Sequence, residues 1–399
     1  MTNFKKDFPI FQNNLWMVFL DSWASSQKPK YVIDWVSKFV QNDYANIHRG
    51  YYALSERSED AYHQSKKIIS EFLNCSATEI FYTYNSTYGI NLIAWSLGIS
   101  WYLKKWNNVL VGIREHHANV VPRQIVAKQY GLEIRFVAID ENYEIDWKDF
   151  DSKYDEKTSV VAIGHVSNVT GQIYDLKQIK SKLRDDTFFL VDASQSIPHF
   201  AVDVKEIGCD CLAFTWHKVF AYTWIWAVYL KKDWIKKLDC IFSWWGAIED
   251  VSENQVTYPH NIEKFEMWTP NIIWAVSLLK AFEYIKNIWW YEVMKKHEDE
   301  LVSYTLEKFQ SLQDKIDLIW SWSSKNRIGV FSFIMKNWKN VNQIWELFAK
   351  NNIAVRCGGH CAYPLHKKLW KTWTCRMSLH IYNDKNDIDR FFEVLSEIV

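Results

Sequence analysis

The sequence predicts an α/β fold, with a mostly parallel sheet covered by helices on both faces, followed by a smaller α+β domain. Between about residues 65 and 230, short apolar runs rich in β-formers alternate with longer stretches whose apolar residues recur every three or four positions. After residue 271, two long helix-like stretches precede a few short apolar runs. Strand–helix alternation at this rhythm is typical of a parallel sheet.

The individual elements follow from the same patterns. The strands expected in the first part cover 108–113, 133–139, 159–163, 187–191, 212–215 and 227–230, with helices over 120–130 and 176–183. In the second part we expect helices over 272–287, 291–312, 341–350 and 386–399, and strands over 329–335 and 353–356. We divide the chain into an N-terminal segment (1–20) that packs with the small domain, a large domain (21–272) and a small C-terminal domain (273–399).

Composition excludes several classes of protein. The 399 residues are 48% apolar and 24% charged, which excludes a disordered chain and allows a large core. The 47 basic and 47 acidic side chains cancel, so nothing attracts nucleic acid or an acidic membrane in general. No apolar stretch reaches the ~18–20 residues of a membrane span, and no secretory signal is visible. Seven scattered cysteines, without metal-ligand spacing, indicate reduced thiols, no metal and a cytoplasmic location.

Polar residues follow the predicted strands where those strands end. His116, Asn168, Asp192, His217 and Lys218 all occupy such positions. Because the carboxyl ends of parallel strands meet at one edge of a sheet, we expect these residues to form a ligand site. A lysine there can form a Schiff base, and an acidic residue can pair with the protonated ring nitrogen of a pyridine cofactor.

The residues around these positions carry a resemblance to a known family. Matching motifs occur in the family's order at 19–22, 48–50, 89–91, 115–119, 165–168, 192–195, 215–218, 265–271, 356–362 and 376–379. The chain resembles the class V, fold-type-I enzymes that use pyridoxal 5'-phosphate. Within that family it is most similar to the group II cysteine desulfurases and selenocysteine lyases of the Suf type. The resemblance implies the transferase fold of type I and a homodimer.

The resemblance also implies the cofactor contacts. Lys218 would hold the cofactor covalently and later move a proton at the substrate Cα, Asp192 would keep the ring nitrogen protonated, and His116 would stack on the ring. The other implied contacts are Gln195 and Asn168 to the ring oxygen region, Ser86, Thr87, Thr215 and His217 to the phosphate, and Thr269 to the phosphate of the neighbouring subunit.

The substrate contacts are implied in the same way. Arg376 would bind the substrate carboxylate as a two-pronged clamp, with Arg356 and His48 as further candidates at that end. Cys361 resembles the nucleophile that takes sulfur from cofactor-bound L-cysteine and keeps it as a persulfide. The chain departs from the family at Cys357 and Gly359, where Thr and His are common.

Tryptophan is abnormally frequent. The chain has 23 Trp and 12 Gly, whereas ordinary glycine usage of about 7% would give about 28 Gly. Several tryptophans occupy positions where the family has glycine: 106, 216, 224, 226, 244, 245, 268, 274 and 373. Our hypothesis is that most are glycines in the living protein, encoded by UGA codons that the host reads as glycine. The alternative is an aromatic-rich, degraded paralogue with a blocked cofactor site. Intact mass of protein from its own cells separates the two.

Three functions remain open at this point. The first is a cysteine desulfurase that makes L-alanine and leaves sulfur on Cys361 for an acceptor protein in iron–sulfur cluster assembly. The second is a selenocysteine lyase, or a class V lyase or transaminase in which Cys361 is incidental. The third is a catalytically dead sulfur-assembly scaffold, against which the intact Lys218, Asp192, His116, Cys361 and Arg376 all speak.

Overall fold

The fold contains two main sheets. The structure is a computed structural model that describes residues 4–48, 50–242, 248–266, 269–288, 290–336, 341–369 and 373–397. The strands are β1 (Val18–Phe19), β2 (Ile80–Thr83), β3 (Asn108–Gly112), β4 (Glu133–Val137), β5 (Thr158–Gly164), β6 (Phe188–Asp192), β7 (Cys211–Thr215), β8 (Trp226–Leu230), β9 (Asp250–Val251), β10 (Val256–Thr257), β11 (Ile316–Leu318), β12 (Val330–Met335), β13 (Ile353–Ala354), β14 (Arg356–Gly358) and β15 (Thr374–Ser378). The helices are α1 (Pro9–Asn13), α2 (Lys30–Asn42), α3 (Ala53–Leu73), α4 (Ser86–Ile99), α5 (His117–Tyr130), α6 (Trp147–Lys153), α7 (Leu176–Ser181), α8 (Val204–Ile207), α9 (Lys232–Lys237), α10 (Ile272–Asn287), α11 (Trp290–Gln310), α12 (Val341–Lys350), α13 (Tyr363–Lys368) and α14 (Lys385–Ser396).

The larger sheet has seven strands in the order β2-β8-β7-β6-β5-β3-β4. Strands β3 to β7 pair in parallel, and only the pairs made by β8 are antiparallel. Both faces are covered, as alternate residues of β6 show: Phe189 and Val191 belong to one apolar core, whereas Phe188 and Leu190 belong to the other. The predicted α/β class is therefore confirmed.

The smaller sheet is antiparallel, in the order β11-β12-β15-β14. The expected single strand over 353–356 is wrong, because it is two strands: β13 pairs with β1 from the N-terminal segment, whereas β14 pairs with β15. The break between them, at Val355, lets the chain leave one partner strand and join another. The domain boundaries after residues 20 and 272 stay predictions.

The helix predictions hold for the long elements. The helices expected over 272–287 and 341–350 have those bounds, and the helix expected over 291–312 is shorter at its C-terminal end. Of the last helix, 398–399 lie outside the described residues. Across the part of the chain that the structure describes, none of the helices combines the length and the apolar character needed to span a membrane.

Four of the described tryptophans have a left-handed backbone, which favours glycine. Their φ angles are +59° at Trp101, +75° at Trp106, +71° at Trp224 and +92° at Trp320. A side chain with a Cβ in this region costs roughly 1–2 kcal/mol. Trp216 differs, because its backbone is not left-handed and its indole packs fully buried between aromatic rings. Tryptophans 244, 245 and 268 lie outside the described residues.

We predict that Trp101→Gly and Trp106→Gly each stabilise the protein. Both indoles are largely exposed, so their removal loses little packing while the left-handed backbone is relaxed. We expect a gain of about 1 kcal/mol each, seen as a higher Tm in thermal unfolding. Trp345→Gly is the matched control: this half-exposed tryptophan lies inside α12, where glycine should lower the Tm. A fall in Tm for all three variants would contradict the prediction.

Candidate active site

Three parallel strands bring the predicted site residues to one edge of the larger sheet. Strand β6 lies between β5 and β7, with Asp192 opposite Gly164 on one side and Ala213 on the other. Lys218 follows β7 in a single 3-10 turn, over Trp216–Lys218. The carboxyl ends of these strands therefore open into one cavity, as expected for an α/β sheet. That cavity is lined by Ser86, Arg114, Glu115, His116, Gly164, Val166, Ser167, Asn168, Tyr174, Asp192, Ser194, Gln195, Thr215 and Lys218.

Several of the predicted site residues do not line the cavity. Of the cofactor contacts, Thr87, His217 and Thr269 do not line it, and Thr269 lies instead in an aromatic groove with Tyr62 and Tyr82. Candidate substrate residue His48 is placed beside Glu59, 3.5 Å away, and not in the cavity. Their roles stay predictions.

Burial sets the chemistry of Lys218. Desolvation lowers the pKa of its amine to about 8, although the neighbouring carboxylate of Asp192 raises it. The cations Arg376 and Arg356 add to the lowering. An amine with this pKa is partly uncharged near neutrality, and only the uncharged amine can attack a carbonyl carbon. The Asp192 carboxylate is itself buried and accepts a hydrogen bond from the Ser194 amide at 3.0 Å.

His116 is held as a neutral ring at the start of α5. Its Nδ1 accepts a hydrogen bond from the amide of Ala118 at 3.1 Å, which leaves the proton on Nε2. Burial and the charge of Lys218 lower the His116 pKa to about 4. The imidazole therefore stays uncharged at physiological pH, as suits stacking on a cofactor ring.

A second buried acid, Glu115, lies beside Asp192. Its carboxylate accepts a hydrogen bond from Asn119 at 2.7 Å, yet burial and the negative charge of Asp192 raise its pKa to about 7. The sequence analysis gave Glu115 no role. The sequence feature that could have pointed to it is its position directly before His116, the residue predicted to stack on the cofactor ring.

The peptide bond that joins His217 to Lys218 is held by a segment near the N-terminus. The His217 carbonyl accepts hydrogen bonds from the Ser26 amide at 2.9 Å, the Ser26 hydroxyl at 3.1 Å and the Lys28 ammonium at 3.1 Å. The Ser26 hydroxyl also accepts from the Phe220 amide at 2.9 Å. Burial lowers the Lys28 pKa to about 7. The sequence analysis missed these contacts, because residues 26 and 217 are far apart in the chain and no local sequence pattern connects them.

Hydroxyl groups gather at the N-terminus of α4. Thr215 contacts the Ser86 hydroxyl at 3.3 Å and the Ser194 hydroxyl at 2.9 Å, and α4 begins at Ser86 with Asn85 as its N-cap. A helix N-terminus with neighbouring hydroxyls suits a phosphate group. The indole N–H of Trp226, however, donates to the same Thr215 hydroxyl at 2.8 Å.

Two arginines at the predicted substrate end, neither of which lines the cavity, share one carboxylate. Arg356 contacts Asp21 with two nitrogens, at 3.1 and 2.9 Å, and Arg376 lies 3.5 Å from the same carboxylate. Arg376 also donates to the Asn168 carbonyl at 2.9 Å. Burial lowers the Arg376 pKa to about 10, so the guanidinium remains charged near neutrality. Asp21 orients both candidate clamp residues, a role that the sequence analysis did not assign.

The loop that contains His360 and Cys361, here called the Cys361 loop, is hydrogen-bonded to residues at the rim of the cavity. The Cys361 carbonyl accepts from the His117 amide, and the His360 carbonyl accepts from the Asn168 side chain, both at 2.7 Å. Asn168 therefore holds the loop here, and its predicted contact with a cofactor ring stays a prediction. Cys361 itself is exposed, with φ of +55°. Gly359 is explained by its neighbour, because an added Cβ would lie 2.5 Å from the Tyr363 ring.

Comparison with known proteins identifies the family. The family model of the class-V aminotransferases matches residues 18–391. The chain belongs to this family. A probable cysteine desulfurase of Halalkalibacterium halodurans is 35% identical over 390 residues, which cover 96% of this chain and 94% of the relative. A probable cysteine desulfurase of Pyrococcus abyssi is 32% identical over 400 residues, with 99% and 96% covered.

Solved structures agree with the family assignment. The apo structure of a cysteine desulfurase from Thermococcus onnurineus has a TM-score of 0.93 and 30% identity, and covers 99% of this chain and 97% of its own. A cysteine desulfurase from Escherichia coli has a TM-score of 0.88 and 26% identity over the same shares. These findings confirm the predicted class V family, its fold and pyridoxal phosphate as the cofactor, and they support the predicted class of enzyme.

The described residues fit this cofactor. The side-chain oxygen of Gln195 is buried in the cavity wall without a hydrogen-bond partner among the described residues, and buried acceptors require a donor. The cavity also offers an amine for the aldehyde, a carboxylate for the ring nitrogen and hydroxyls for the phosphate. At the predicted phosphate end, the indole of Trp226 lies against Thr215 and donates its N–H to the Thr215 hydroxyl oxygen.

We predict that Trp226→Gly strengthens binding of pyridoxal phosphate about tenfold or more, equivalent to ~1.4 kcal/mol. The variant removes the indole that lies against Thr215 and His217, two of the predicted phosphate contacts, and so leaves room for the phosphate. Titration of the apo-protein, followed by visible absorbance, measures the affinity. Trp16→Gly, at an exposed site outside the cavity, should leave the affinity unchanged. Equal affinities of Trp226→Gly and the unmodified protein would show that the indole does not obstruct the phosphate.

We predict that covalent capture of pyridoxal phosphate accelerates as the pH rises through about 8, because Lys218 then loses its proton. Asp192→Asn removes the carboxylate that raises the Lys218 pKa, so the midpoint should move to lower pH. Stopped-flow absorbance at a series of pH values gives both midpoints. The exposed Asp186→Asn serves as the control and should not shift the midpoint. A midpoint common to all three proteins would contradict the electrostatic argument.

Proposed function

We propose that this chain is a pyridoxal-phosphate-dependent cysteine desulfurase that converts L-cysteine to L-alanine and keeps the sulfur on Cys361 as a persulfide. One observation carries the proposal: the exposed Cys361 lies in a loop bonded to His117 and Asn168, at the rim of the cavity that contains Lys218 and Asp192. This arrangement supports a role for Cys361 as the nucleophile that acts beside the lysine proposed to bind the cofactor.

Bound pyridoxal phosphate supplies an electron sink next to the substrate Cα. Lys218 moves the proton at Cα, for which a pKa of about 8 is well suited at neutral pH. Asp192 holds the ring nitrogen in its protonated form. Arg376 binds the substrate carboxylate, and the neutral His116 stacks on the ring. These residue roles are part of the proposal.

Cys361 takes the sulfur. Its Sγ attacks the substrate sulfur, an S–S bond forms, and the substrate Cβ–S bond breaks with its electron pair going to Cβ. Protonation of that carbon gives L-alanine, and the thiol becomes a persulfide, so one sulfur atom is transferred and no external oxidant is required. Lys218, Arg356 and Arg376 all interact electrostatically with Cys361, which supports a position of the thiol close to the residues proposed to handle the substrate.

We propose that the enzyme works as a homodimer and passes its sulfur to an acceptor protein for iron–sulfur cluster assembly. The position of Thr269 supports the dimer, because this residue lies in an aromatic groove outside the cavity of its own chain. From that groove it would reach the phosphate site of the second subunit.

We predict that Cys361→Ala loses at least a hundredfold in sulfide release from L-cysteine in the presence of a reductant, while still binding the cofactor. Cys75→Ala is the matched control, since this thiol lies after α3 and not at the cavity, and it should retain full activity. Full turnover by Cys361→Ala would instead favour a class V lyase in which the thiol is incidental.

Two further outcomes separate the alternatives. Failure of the unmodified chain to develop the colour of bound cofactor would favour a scaffold without catalysis. Turnover of selenocysteine that persists in Cys361→Ala, with cysteine turnover absent in both proteins, would favour a selenocysteine lyase.

A further inference from the structure

Two cysteines face each other across the strand pair that flanks the Cys361 loop. In the antiparallel pairing of β14 with β15, Cys357 lies directly opposite Cys375, between the pairs Arg356–Arg376 and Gly358–Thr374. Directly opposite residues of antiparallel strands have Cα atoms about 4.5–5.5 Å apart. Disulfides require about 4.4–6.8 Å, so the register satisfies the distance that a covalent link needs.

The alternation of side chains determines which way this pair points. Arg356 and Arg376 both contact Asp21, so the side chains of this opposed pair lie on one face of the two strands. Cys357 and Cys375 are the next residues on their strands and therefore point to the opposite face. There Cys375 is fully buried in the core of the smaller sheet, and the half-buried Cys357 packs against that core.

The two thiols already interact. Burial, together with the neighbouring Cys357 side chain, raises the pKa of the Cys375 thiol. Cys357 therefore does not face the substrate as a second nucleophile. The partner of Cys357 is Cys375 on the adjacent strand. The family commonly has Thr at position 357, and Thr cannot form a disulfide.

We propose that Cys357 and Cys375 are a reversible modification site, which a low-molecular-weight disulfide converts into a cross-strand disulfide. The more accessible Cys357 attacks one sulfur of the oxidant and releases one thiol. The Cys375 sulfur then attacks Cys357 and releases the second thiol. Two protein thiols are oxidised, one disulfide molecule is reduced to two thiols, and two protons pass to the products.

The location gives this modification a consequence for the neighbouring loop. Cys361 and α13 lie in the segment between residues 357 and 375. The disulfide would therefore close this segment into a covalent ring that contains both of them. The ring would restrict how far the Cys361 loop can move from the cavity rim. The proposal concerns the two thiols alone and does not depend on the proposed activity.

The test is thiol mapping after oxidation. The purified protein is incubated with oxidised glutathione, its free thiols are blocked with iodoacetamide in denaturant so that buried thiols also react, and the digest is analysed by mass spectrometry without reduction. We expect a linked peptide pair containing Cys357 and Cys375, with a mass 2 Da below the sum of the two free-thiol peptides, and its disappearance after reduction. The same pair should form in Cys361→Ser, where the exposed thiol cannot take part.

Cys357→Thr is the matched control. It should abolish the linked pair and leave Cys375 as an alkylated thiol, with Tm and cofactor binding of the reduced protein unchanged. Alkylation of both Cys357 and Cys375 in oxidised unmodified protein would overturn the proposal. Linkage of Cys357 to Cys361 in place of Cys375 would overturn it as well, because it would show that Cys357 turns towards the active site.

Discussion

The parallel pairing of β6 with both of its neighbours is the constraint on which the active site depends. It fixes Asp192 at the edge of the sheet where β5 and β7 also end, and it thereby sets the position of the carboxylate relative to Lys218. The two largest effects on the pKa of the lysine oppose each other: burial lowers it, and the carboxylate raises it. A shift of β6 by one residue would turn Asp192 to the other face and remove the second of these effects.

The smaller sheet contributes to the site through a few directional contacts. Arg376 on β15 donates to the Asn168 carbonyl, while the Asn168 side chain donates to the His360 carbonyl, so these contacts tie both sheets to one residue. Asp21 joins Arg356 and Arg376 and holds their charges at the substrate end. The same strands carry arginines on one face and cysteines on the other, which separates the substrate contacts from the thiol pair.

Much of this architecture is predictable from the sequence, because the information is local. Apolar runs predict β3 to β8, and polar residues after them predict that Asp192, Asn168 and Lys218 meet. What sequence reasoning missed is long-range: the Ser26 and Lys28 contacts with His217, the arginine-bridging Asp21 and the split of β13 from β14. Trp216, at a position where the family has glycine, packs among buried rings without a left-handed backbone, and the hypothesis that most of the tryptophans are glycines stays a prediction.

The segment over residues 18–28 links regions that are far apart in the chain. Phe19 pairs with Ala354, the Ser22 hydroxyl contacts the Tyr382 hydroxyl at 2.7 Å, and a few residues later Ser26 holds the His217 carbonyl. Its partners beyond residue 350 are synthesised after every strand of the larger sheet. A nascent chain that has already completed the larger sheet still lacks the strand that fixes this segment in place. A nascent chain at that stage therefore contains Lys218 and Ser26 but not yet Ala354 and Tyr382, the partners of the segment that contacts the residue before the lysine.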